Sequence, residues 1–251
     1  MSKTYKGQIT NNVVELTLQE EAVGAGFDTP TIAWDDTVNG VIKQVQGDIP
    51  DNWASTDKVK GPLEIGTSCT SIGSNAFYYC TNLTGDLVIP DSVTTIEGGS
   101  YAGAFLGCQG FTSLTIGNSV TSIGDYAFYL CVGVAFGAVG DLVIPDSVTS
   151  IGYYAFGNCG LSGTLTIGNS VTTIGSVAFS YCSLLTTAYL ATPYANIPTG
   201  GFGSGAFYNS GLTTVYAKDA VASGWTLGAG QTVGGKSGVT VIDWTNYPVT
   251  P

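Results

Sequence analysis

The chain has 251 residues, a formal net charge of −11, no histidine and only 10 % charged residues. Its seven basic residues are all lysines and none lies between residues 61 and 217, which excludes the basic stripe a nucleic-acid partner needs. Without histidine the commonest general base and metal ligand is missing, and 36 glycines at such low charge suit a β-rich repeat fold better than a helical enzyme.

Residues 1–60 follow no repeat. Their opening, MSKTYKGQITNN, is polar and lacks the apolar core of a secretory signal. The expectation is therefore a chain that reaches any extracellular site by another route. Further on, Asn39-Gly40 sits between β-prone runs and predicts a two-residue hairpin. Trp34 and Trp53 are expected to cover the first coil of the repeat region. The segment reads either as an N-terminal cap or as a docking segment that fixes the protein to a larger assembly. Its length is more than a cap requires.

From residue 61 a unit repeats: L-x-I-P/G-x-S-V-T-x-I-G-x-x-A-F-x-x-C. Clear copies begin at Leu63, Leu87, Leu114, Leu142 and Leu165, and a degenerate one near Ala188. In L-x-I the apolar residues alternate with an outward one, the period of a strand. Pro90-Asp91, Gly117-Asn118, Pro145-Asp146 and Gly168-Asn169 then mark turns. V-T-x-I is a second short β-branched run, followed at Gly73, Gly124, Gly152 and Gly175 by a sharp turn where a Cβ would obstruct. AF-x-x-C supplies a small residue, a ring and a thiol for a turn or a short helical piece.

A longer period lies over the short one. Cys80 to Cys131, Cys108 to Cys159 and Cys131 to Cys182 are each 51 residues apart, so GDLVIPDSV units alternate with LTIGNSV units. Such a chain buries its Leu, Ile, Val and Phe only against the same residues of the next copy. The fold class expected is a β-rich solenoid of about six coils, with Phe77, Phe105, Phe128, Phe156, Phe179 and Phe207 in one buried column. The domains expected are 1–60, the solenoid 61–217 and a C-terminal cap 218–251, in which GVTVIDW supplies a closing strand. The longest apolar run, VGVAFGAVG at 132–140, is far short of the ~20 residues of a membrane span.

The repeat unit resembles the BspA-like leucine-rich repeats over roughly residues 61–217. The resemblance implies a leucine-rich-repeat-type stack, right-handed, in a family of surface or secreted proteins implicated in adhesion and protein binding.

Five of the six cysteines share one repeat position, and Cys69 stands where the first unit's Val would be. They are expected to be reduced, buried thiols that serve packing. Tyrosines gather around the AF pair, and Tyr78, Tyr79, Tyr126, Tyr129, Tyr153, Tyr154, Tyr181 and Tyr208 are the candidate ligand or partner surface. Tyrosine gives large contact area at low entropic cost, which suits glycans and protein surfaces alike. These side chains either face outward together or tuck partly into the core.

No catalytic residue, cofactor site or metal site is assigned, and the chain is expected not to be an enzyme. Its partners are expected to be a protein or glycan surface, with no nucleic acid and no membrane insertion. The preferred reading is a virion-associated component of a bacteriophage: a fibre, decoration or adhesion protein. The alternative is a bacterial or parasite cell-surface adhesin.

Overall fold

A computed structural model describes residues 2–10, 13–22, 31–33, 44–46, 62–67, 69–131, 141–191, 202–220 and 225–244, the first four segments as strand backbone. Asn39-Gly40, Trp34, Trp53 and the run 132–140 lie outside the described residues.

Each coil turns through three sides, two of them strands. The first side holds β5 (Glu64–Ile65), β7 (Gly85–Val88), β9 (Phe111–Thr115), β11 (Leu142–Ile144), β13 (Thr164–Ile167) and β15 (Thr187–Leu190). It continues through β16 (Thr214–Ala217) and β18 (Lys236–Asp243). The second side holds β6 (Ser71–Ile72), β8 (Thr95–Ile96), β10 (Ser122–Ile123), β12 (Ser150–Ile151) and β14 (Thr173–Ile174). The third is built of turns around AF-x-x-C, and among the described residues there is no helix. The expected solenoid is thus the observed fold.

Register follows the repeat. Leu142 pairs with Leu165 and Ile144 with Ile167, in parallel, and Leu165 pairs in turn with Ala188, Val215 and Val241 following in line. Along β11 the side chains alternate buried, exposed, buried, so a one-residue slip would turn Leu142 and Ile144 out to water. The second side is tied more tightly than its two-residue strands suggest. Thr94, Thr121 and Thr149 each donate both the backbone N–H and Oγ1 to the carbonyl of the threonine one coil earlier, over 2.8–3.1 Å. A threonine in every V-T-x-I therefore supplies two donors per coil.

The interior is a set of columns. The six phenylalanines at the repeat position, Phe77 to Phe207, stack almost parallel, with ring centroids 5.0–5.4 Å apart and interplanar angles of 1–12°. All six are buried. The six cysteines are buried too, as expected, and none is in a disulfide. They also hydrogen-bond: the thiols of Cys108 and Cys159 donate to the carbonyls of Phe77 and Phe128 in the preceding coil, at 2.9 and 2.8 Å. Burial pushes the Cys80 and Cys182 thiols up to about 12.

The alternation of two unit types has a physical basis. A Cβ on Gly168 would stand 2.6 Å from the Pro145 carbonyl oxygen, and one on Gly117 2.5 Å from that of Pro90. Only glycine fits beside the proline of the coil before. The same two-coil blocks are clamped by aspartates at both ends of the strand. Asp86 accepts hydroxyl bonds from Ser113 and Thr112 at 2.6 and 2.9 Å. Asp91 and Asp146 accept the backbone N–H groups of Asn118 and Asn169 at 2.7 and 2.8 Å. The glycines after V-T-x-I act in the same way: a Cβ on Gly152 would meet Asp125 of the preceding coil, and one on Gly175 would meet Gly152. They are needed for close stacking of coils.

Both ends carry antiparallel pairs. Before the first coil, β1 (Ser2–Thr10) pairs antiparallel with β2 (Val13–Ala22), β3 (Thr31–Ala33) pairs parallel with β1, and β4 (Gln44–Gln46) joins β2 to β5. At the other end β17 (Gly228–Val233) pairs antiparallel with β18. The turn between them finishes the Phe column, because the Gly234 carbonyl accepts the Phe207 N–H at 2.8 Å. A Cβ on Gly234 would lie 2.8 Å from the Phe207 ring. No helix of the described residues is long and apolar enough to cross a membrane.

Candidate functional site: the turn side of the solenoid

AF-x-x-C forms consecutive tight turns. The Ala76 N–H bonds the Gly73 carbonyl, the Tyr78 N–H that of Asn75, and the Cys80 N–H that of Phe77. This geometry puts the residue before Ala and the residue two after Phe in the left-handed region. The first position holds Asn75, Tyr126, Tyr154, Val177 and Gly205 at φ 52–68°, and the second Tyr79, Gly107, Leu130, Asn158, Tyr181 and Asn209 at φ 52–78°. For residues other than glycine that costs about 1 kcal/mol or more each. The return is a ladder: the Phe105 N–H bonds the Ala127 carbonyl at 2.8 Å and the Phe128 N–H that of Ala155 at 2.7 Å, and so on along the stack. Tertiary bonding thus holds side chains where local preference would not place them.

The left-handed turns decide where each tyrosine points. Tyr78, Tyr153, Tyr181 and Tyr208 are 41–47 % exposed on this side. Tyr79, Tyr129 and Tyr154 are half-buried. The Tyr79 ring lies over Gly107 of the next coil, and those of Tyr129 and Tyr154 over Gly157, where a Cβ would collide with them. Tyr126 corrects the idea of a uniform outward face: it is 4 % exposed, because neighbouring rings enclose it.

Those rings form one cluster. Tyr126 stacks on Tyr154 with centroids 5.4 Å apart, meets Tyr129 and Tyr153 edge-on at the same distance, and has Tyr101 at 4.9 Å. Burial, with hydrogen bonds to Tyr101 and Tyr153, holds the Tyr126 phenol well above the usual tyrosine range. Burial raises Tyr154 as well, helped by the nearby Tyr153. The cluster is neutral and aromatic, and Asp125, whose Oδ1 accepts the Tyr153 N–H at 2.7 Å, stands at its edge.

Tyr101 was not among the sequence-derived candidates, yet at 73 % it is the most exposed tyrosine described. It lies in EGGSYAGAF, where Phe105 follows Ile96 by nine residues rather than the five that separate Phe77 from Ile72. The longer connection leaves the repeat register and projects the ring. Its signal in the sequence was that added length.

A family model described as BspA type leucine rich repeat region matches the chain in six copies, over residues 59–134 and 99–223. Among solved structures the chain is similar to a leucine-rich repeat protein from Bacteroides ovatus, at 20 % identity and a TM-score of 0.48, covering 87 % of this chain and 60 % of that one. It thus spans about 60 % of that protein's length. It is also similar to a leucine rich cell surface protein from Faecalibacterium prausnitzii, at 20 % identity and a TM-score of 0.31, covering 84 % of this chain and 74 % of that one. No curated protein matches the chain.

Proposed function

Since this chain belongs to the BspA type leucine rich repeat family, we propose that it is a non-enzymatic binding or adhesion module working at a cell surface. Its contact surface is the turn side, formed by Tyr78, Tyr79, Tyr129, Tyr153, Tyr154, Tyr181 and Tyr208 with Tyr101 added, while Tyr126 supports them from beneath. Support comes from the exposure of five large rings in coils whose residues, 61–217, include no basic one. Soluble proteins rarely leave such patches open without use. The virion reading has no support in the comparisons, and the cell-surface alternative replaces it. Residues 1–60 are proposed to close the first coil, since β4 pairs with β5, and residues 218–251 to close the last.

The test is attachment. Beads coated with the protein should adhere to bacterial or epithelial cells, and a Tyr153→Ser, Tyr208→Ser variant of unchanged melting temperature should release them. Equal adhesion by that variant would move the contact surface elsewhere.

A further inference from the structure

We propose that the tyrosine face takes a cationic protein segment, one presenting arginine or lysine, rather than a glycan. The inference rests on reading that face as the contact surface, and charge and ring geometry carry it.

Residues 61–217 contain seven carboxylates and no basic residue. Two of the seven lie close to the ring cluster in the chain. Glu97 opens the long connection to Tyr101, and Asp125 directly precedes Tyr126. They belong to adjacent coils in close touch, since a Cβ on Gly98 would collide with the Asp125 carbonyl. The Asp125 carboxylate is itself tied to the cluster, accepting the Tyr153 N–H at 2.7 Å, so a cation on these rings meets negative charge beside ring faces. The ring quadrupole attracts a guanidinium or ammonium, and arginine also stacks flat on an aromatic face. The net charge of −11 would steer such a partner in over distances near the Debye length. An anionic sugar would be repelled by the same field.

Ring orientation points the same way. Tyr153 and Tyr154 meet at 89°, Tyr181 and Tyr208 at 80°, and Tyr78 and Tyr79 at 68°. Such pairs set a ring edge against a ring face, so none of them presents two coplanar faces side by side. A planar guanidinium needs only the exposed face of one ring, whereas a pyranose stacks best on a broad flat platform. The recognition is by ring quadrupole and carboxylate.

The experiment uses the full chain and synthetic peptides of one length, with Arg-Gly-Ser, Lys-Gly-Ser or Glu-Gly-Ser repeats, and a set of neutral oligosaccharides. Binding is read by fluorescence anisotropy at low and moderate salt. The arginine peptide should bind, the lysine peptide more weakly, and the glutamate peptide and the sugars not at all. Tyr101→Asn with Tyr153→Ser should weaken the arginine peptide at least tenfold, asparagine being chosen because it tolerates the φ of 58° at Tyr101. Glu64→Gln, on the strand side, should bind as the parent does. Equal binding by the tyrosine variant would show attraction by net charge alone and overturn the proposal, as would sugar binding without peptide binding. If the tyrosine variant loses cell attachment while the parent ignores the arginine peptide, the adhesion role stands and the cationic partner falls. If attachment survives the variant, the role of the face itself falls.

Discussion

Thr164 gives both its backbone N–H and its hydroxyl to a single oxygen of Asp141, each over 2.7 Å, and so joins β13 to the coil before it. Those bonds hold the Asp141 carboxyl below the usual range, the backbone one first. Ser113, then Thr112, do the same for Asp86. A carboxyl depressed in the folded state contributes stability above its unfolded value of about 3.9 and loses it as pH falls through the folded value. The melting temperature should hold from neutral pH to about 5 and then decline below about 4. An Asp86→Asn, Asp141→Asn variant should show a shallower decline, and an identical acid profile would mean that the clamps carry no linkage.

Gly168→Ala tests the proline–glycine alternation. The atoms in the way are Pro145 backbone, which cannot rotate aside, so the coils must separate locally. We expect a loss of about 1–3 kcal/mol in urea denaturation. Asn118→Ala, at the exposed position after the equivalent Gly117, keeps the backbone N–H that Asp91 accepts and should stay within about 0.5 kcal/mol. Equal effects at the two sites would refute the close-approach argument.

Phe128→Ala removes a ring stacked between Phe105 and Phe156, at 5.4 and 5.2 Å. The cavity should cost about 3–5 kcal/mol. A variant that melts like its parent would remove Phe128 from the core.

Tyr126→Ala and Tyr208→Ala should separate, although both are turn-side tyrosines. Tyr126 is enclosed by four rings, and its loss should lower stability by about 3 kcal/mol, as for a large core ring. Tyr208, nearly half exposed, should change stability by less than about 0.5 kcal/mol. Thermal melts of the two variants decide the matter.

The thiols should resist labelling in the folded protein and react together on unfolding. All six are buried, and the raised Cys80 and Cys182 values leave almost no thiolate at neutral pH. Rapid modification of Cys108 or Cys159 in the native state would contradict their bonds to the Phe77 and Phe128 carbonyls.

The coil, its strands and its Phe and Cys columns were legible in the sequence because stacking copies the same burial problem into every unit. Leu142 and Leu165 face the same neighbours, so both must be apolar and the pattern repeats in print. The 51-residue period was visible as well, but its cause was not. That Gly168 must yield to Pro145, and that Asp86 and Asp141 reach across to the next coil, depends on distances between residues far apart in the chain. The direction of each tyrosine was hidden for a different reason. In the AF-x-x-C turns, Tyr126, Val177 and Tyr181 hold a left-handed backbone that their own chemistry disfavours, imposed by the ladder to the next coil. A side chain's direction there follows from bonds made by the stack, so only the tertiary structure could decide that Tyr126 lies beneath the face and Tyr101 stands out from it.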